Sequence, residues 1–101
     1  MDQSINLRLE GGNTVIPSTH SIKVQPGDTI EFTSQDGDVD IKFVPDNAVE
    51  PGPKLGSKRV RVTVRKVPFE FRCFLIKPDQ SRVGWSEQQR EAGGTGDTGP
   101  H

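Results

Sequence analysis

The chain has 101 residues, 30% hydrophobic and 27% charged, with a formal charge of −1. That length holds one domain, the charge balance gives no global pull toward nucleic acid or acidic membranes, and no run approaches the roughly 20 apolar residues of a membrane helix. Sixteen residues are Val or Ile against seven that are Leu, Ala or Met; β-branched side chains suit a pleated surface, so a helical bundle is excluded as well.

The dominant period along the chain is two. Ile5, Leu7 and Leu9 alternate with Asn6 and Arg8, and Ile22 with Val24 and Ile30 with Phe32 follow the same rule. Val39, Ile41 and Phe43 come next, then Val60, Val62 and Val64, then Phe69, Phe71, Cys73 and Leu75. Alternation of this kind predicts strands with one buried and one wet face. Gly11-Gly12-Asn13, Pro26-Gly27-Asp28, Asp36-Gly37 and Val67-Pro68 supply the turns between them. Asp36-Gly37 reads as a two-residue hairpin, with Ser34 opposite Val39, Phe32 opposite Ile41 and Ile30 opposite Phe43. Residues 45–58 hold Pro45, Pro51, Pro53, Gly52 and Gly56 and read as a long crossover loop. After residue 85 the only apolar side chain is Ala92, so residues 1–86 are expected to fold. Residues 87–101 are expected to form a flexible polar, Gly-rich tail, with at most a helical turn from Glu87 to Ala92. Seven or eight short strands at this spacing predict an all-β fold, a two-sheet Greek-key β-sandwich or a small barrel.

Residues 15–34, VIPSTHSIKVQPGDTIEFTS, resemble the opening of the cupredoxins, the blue-copper fold family. There a strand with an internal Pro leads to a Pro-Gly-Asp turn and a Thr-Ile-x-Phe strand. Downstream, Phe69-Glu70-Phe71-Arg72-Cys73 resembles the family's aromatic-x-aromatic-x-Cys strand, which carries the copper thiolate. The resemblance spans about residues 4–86 and implies a cupredoxin-like sandwich; the alternative is another immunoglobulin-like sandwich. The Asp36-Gly37 hairpin favours that alternative, because the two strands it joins lie largely in opposite sheets of a cupredoxin. A blue-copper site needs two imidazoles, a thiolate and usually a weak axial Met. At the matching positions this chain has Val39 for the first His, Ile76 for the second and Trp85 for the Met, keeping only Cys73. The resemblance therefore implies a copper-free domain without a cofactor, its former site filled by a dry plug of Val39, Cys73, Ile76 and Trp85.

The remaining candidates are weighed by residue type. Cys73 alternates inward with Phe71 and Leu75 and is expected to be an inert core thiol. A metal or electron-transfer site would have to combine Cys73 with His20 or an oxygen ligand; His101, at the chain end, has no geometric constraint. Residues 51–68 carry Lys54, Lys58, Arg59, Arg61, Arg65 and Lys66 and no acid, so Arg59, Arg61 and Arg65 form an outward basic stripe. Single-strand binders interleave such a stripe with stacking aromatics; none lies here, and pairing with the acidic run 28–50, as Glu31 with Arg61, is the favoured reading over nucleic acid. Phe74, Ile76 and Trp85 make one strand end apolar on both faces, which reads either as a twisted central strand buried on both sides or as an exposed docking site for a protein partner. No phosphate loop, nucleophile elbow or HExxH is present, and Asp38 with Asp40 reads as a solvated face, so no catalytic residue is assigned and an enzyme is not expected. The expectation is a soluble, monomeric binding or scaffold module. Met1-Asp2-Gln3-Ser4 shows no leader pattern, which suits a cytoplasmic protein or the mature domain of an exported one.

Overall fold

A strand buries alternate side chains, so each period-two run can satisfy its apolar positions on one side of a sheet. The computed structural model, which describes residues 2–50 and 58–98, realises every one of these runs. In chain order the strands are β1 (Asp2–Glu10), β2 (Thr14–Pro17), β3 (Ser21–Lys23), β4 (Thr29–Ser34) and β5 (Asp38–Val44). Then come β6 (Val49–Glu50), β7 (Arg59–Val64), β8 (Phe69–Ile76), β9 (Arg82–Gly84) and β10 (Gly93–Asp97). Two single 3-10 turns, Asp46–Ala48 and Arg90–Ala92, complete the described elements.

The strands form two five-stranded sheets packed as a sandwich. The first has the order β2-β1-β4-β7-β6; the second has the order β3-β10-β8-β5, with β9 beside the far half of β8. Both sheets are mixed: β1 runs parallel to β4 and β10 parallel to β3, while the other pairs are antiparallel. The fold is all-β, as composition predicts. Ile5, Leu7, Ile30, Phe32, Val62 and Val64 from one sheet meet Ile22, Val39, Phe43, Phe71, Cys73 and Leu75 from the other in a single core. Phe32 reaches across the gap to Phe43 and Phe71, with ring centroids 6.0 and 5.7 Å apart in edge-to-face geometry, and Phe43 meets Phe69 at 5.7 Å. Such pairs add about 0.5–1.5 kcal/mol each beyond their area.

Two expectations are corrected. Asp36-Gly37 does not make a hairpin: β4 lies between β1 and β7 in one sheet, and β5 pairs with β8 in the other. With both edges of β4 occupied, β5 has no edge to join, and Phe32 and Phe43 face each other across the sandwich instead of sharing one face. Gly37 also lacks the positive φ that a type I′ turn needs. Residues 35–37 are a crossover, anchored by Asp36, whose carboxylate accepts the Leu9 N–H at 2.9 Å.

The folded unit also extends past residue 86. Residues 93–97, expected in a tail, form β10, which lies between β3 and β8, and Ala92 is fully buried. Gly94 and Gly96 have no side chain to signal a strand, yet their bare Cα positions receive the Phe71 and Phe69 rings: a Cβ on them would lie 2.5 and 2.3 Å from those rings. Of the Pro-rich crossover, Pro45, the 3-10 turn and β6 are described; Pro51, Gly52, Pro53, Lys54 and Gly56 lie outside the described residues, as do Met1 and His101.

Candidate functional site

The outward residues of β8 set up the most distinctive surface. With Phe71, Cys73 and Leu75 buried, Arg72, Phe74 and Ile76 point the other way and are partly buried. Their cross-strand neighbours on β5 are Lys42, Asp40 and Asp38. On the opposite side, Gly93 sits beside Arg72, Gly84 beside Phe74 and Arg82 beside Ile76.

Two arginine–aromatic stacks cover this face. The Arg72 guanidinium lies 4.0 Å from the centroid of the Trp85 ring, and Arg82 lies 3.8 Å from that of Phe74. Half-exposed stacks of this kind are worth about 0.5–1 kcal/mol. Arg82 is held over Phe74 by Asp40, whose Oδ2 accepts from Arg82 Nε at 2.9 Å and from Nη2 at 2.8 Å. Trp85 is placed by two contacts: its backbone N–H donates to the Cys73 carbonyl at 3.0 Å, and its ring fills the space beside Gly93, where a Cβ would approach within 2.9 Å. Gly84, at φ +145°, lets β9 press onto β8; a Cβ there would lie 2.2 Å from the Cys73 carbonyl oxygen.

Trp85 is the shared wall of two grooves. One, of about 270 Å³, runs over Arg72, Gly93, Gly94 and Thr95 between Glu70, Glu87 and Arg90. The other, of about 430 Å³, runs over Phe74, Arg82, Val83 and Gly84 to Asn13 and Gln89. The Gln89 side-chain oxygen is buried with no hydrogen-bond donor among the described residues.

The residues matched to copper positions do not gather into one plug. Val39 and Cys73 are fully buried on the inner face, whereas Ile76, three residues beyond Cys73 on a regular strand, points outward. The Trp85 ring joins it on that outer side, drawn there by Arg72 and the bare Cα of Gly93. Burial pushes the Cys73 thiol well above its usual range. His20 lies immediately before β3, with Nδ1 3.1 Å from the Gly93 carbonyl, which can only accept. Among the described residues no three His, Cys, Asp or Glu side chains gather in a metal-binding group. The inner face around Cys73 offers Val39, Phe71 and Leu75, hydrocarbon in place of the imidazoles that a blue-copper ion needs, so these residues do not fit that ion.

The basic stripe is paired. Glu31 takes Arg61 at 3.2 Å and Arg59 at 3.6 Å, and Glu50 takes Arg65 at 3.9 Å. The Glu31–Arg61 contact predicted from the alternating charges is thus present, in the cross-strand register of β4 and β7. Asp38 and Asp40 both lie on the outer face of β5, but Asp40 is engaged by Arg82. Sequence periodicity does not point to Arg72, Arg82 and Gly93, which shape the aromatic face. The available signal was Arg72 itself, an outward cation between two aromatic residues of β8. No helix among the described residues is long and apolar enough to cross a membrane. Comparison with protein families, with curated proteins and with solved structures finds no match to this chain.

Proposed function

We propose that the chain is a copper-free, cupredoxin-like Greek-key sandwich that acts as a non-catalytic, protein-binding module through the Trp85 face. The placement of β4 and β5 in opposite sheets supports the cupredoxin-like reading, because those two strands divide in the same way in that family. The observation that carries the binding reading is the pair of arginine–aromatic stacks flanked by two grooves. Trp and Arg dominate the few residues that carry most of the energy of protein interfaces. Trp85 and Arg72 are held in place beforehand by backbone and packing contacts, so little ordering cost remains to oppose association. Phe74 and Ile76 extend the apolar part of the surface, and Arg82 with Asp40 forms a polar rim.

Selection of a displayed peptide library on the folded domain tests this. Peptides recovered should shift the emission of Trp85, the one Trp in the chain, and should bind at least about tenfold more weakly to Trp85→Ala. Peptides indifferent to both Trp85→Ala and Arg72→Ala would end the reading. Titration with Cu(II) tests the copper-free half: an intense visible thiolate-to-copper band that disappears in Cys73→Ser would overturn it.

A further inference from the structure

We infer that the outer edge of β5 is a self-association edge, pairing antiparallel with β5 of a second copy about a twofold axis at Ile41. This goes beyond the Trp85 reading and does not depend on it. It also departs from the monomer expected from the sequence. β5 is seven residues long, pairs with β8 along one side only, and has no strand on its other side among the described residues. An edge of that length leaves a row of backbone donors and acceptors open to another strand.

The charges on β5 select the partner. Outward side chains alternate as Asp38, Asp40, Lys42 and Val44. Antiparallel pairing must match outward residues with outward residues, or the core side of one copy is turned to solvent. The register is then limited to axes through single residues. An axis through Asp40 sets Asp40 against its own copy, one through Lys42 sets lysine against lysine, and one through Val39 sets Asp38 against Asp40. An axis through Ile41 sets Asp40 against Lys42 twice and Asp38 against Val44 twice, with no like charges opposed.

The side chains are prepared for that register. Lys42 lies beside Arg72 in the β5–β8 register and has no carboxylate partner among the described residues. Both Arg82 contacts fall on Oδ2 of Asp40, leaving Oδ1 for a second cation. Ile41, on the inward side, is only partly buried, unlike Val39 and Phe43. Charges on an edge strand ordinarily repel foreign strands; here the same charges are complementary to their own copy.

Sedimentation of the full chain at low salt, over a concentration series up to about 1 mM, tests the inference. The wild type should dimerise. Lys42→Asp should weaken the dimer by at least about tenfold, and Asp40→Lys with Lys42→Asp together should restore it, because the exchange returns opposite charges to both cross-strand pairs. In a Cys73→Ala background, which removes the thiol opposite position 41 on β8, Ile41→Cys treated with diamide as the two-electron oxidant should give a disulfide-linked dimer, since the twofold axis brings that position onto itself; Val44→Cys in the same background should not. Circular dichroism confirms that each variant is folded. A wild type that stays monomeric throughout the series would overturn the inference, and so would a dimer unchanged by Lys42→Asp.

Discussion

Cys73 shows how its place in the fold sets the chemistry of a single side chain. It is fully buried, and removal from water disfavours the thiolate, the form that attacks reagents or binds metals. Native protein should therefore react with a disulfide reagent at pH 8 only on the timescale of unfolding, with prompt reaction once denaturant is added. Cys73→Ser is expected to cost about 1–3 kcal/mol in a denaturant titration, because it buries a hydroxyl among hydrocarbon groups. Asp79 behaves in the opposite sense. Its carboxylate accepts the Ser81 hydroxyl at 2.5 Å and the Ser81 backbone N–H at 2.9 Å, and these bonds hold its pKa below the usual carboxylate range. A lowered folded-state pKa contributes stability above the unfolded value, near 3.9, and loses it as pH falls through the folded value. NMR titration of Asp79 should show a midpoint below that of an unfolded carboxyl, and Ser81→Ala should move the midpoint back up.

At the scale of elements, the alternating runs were legible wherever apolar side chains wrote them. β1, β5, β7 and β8 each carry three or more, so their faces and much of the core follow from period alone. β10 was illegible for the same physical reason that it fits. Its inward positions are Gly94 and Gly96, and the side chains that fill that part of the core belong to β8. The prediction is direct: Gly94→Ala, whose Cβ would lie 2.5 Å from both the His20 carbonyl oxygen and the Phe71 ring, should lower stability by about 1–3 kcal/mol. Thr95→Ala, on the exposed side of the same strand, should change it by no more than about 0.5 kcal/mol. A thermal or urea melt of the two variants checks both; equal, negligible shifts would mean that β10 does not pack as described. The Asp36-Gly37 segment misled for a different reason. Local turn chemistry favours a hairpin, but which edges are free is decided by β1 and β7, distant in sequence from each other. The aromatic face was half legible: Phe74, Ile76 and Trp85 stand out as apolar, whereas the arginines stacked on them become visible only once β8 and β9 are paired.

For the whole molecule, the two parallel pairings set the folding problem. Parallel strands cannot be joined by a tight turn, so β1 must find β4 across β2 and β3, and β3 must find β10 across nearly the rest of the chain. Proteins dominated by such distant pairings fold in roughly milliseconds to seconds, well behind helical bundles of equal size. Stopped-flow refolding followed by Trp85 emission should fall in that range. Deleting residues 93–98 should abolish cooperative unfolding rather than merely shorten a tail.

The pairing of β10 between β3 and β8 also bears on biosynthesis. A ribosome adds about 5–20 residues per second, so after β3 is made several seconds pass before the strand that must lie beside it exists. Once β5 and β8 have been made, their inner faces have no completed sheet around them until β10 follows. The nascent chain remains a substrate for chaperones until Asp97 has emerged, and a stalled or prematurely terminated product is left with the Phe69 and Phe71 rings uncovered for proteases to recognise.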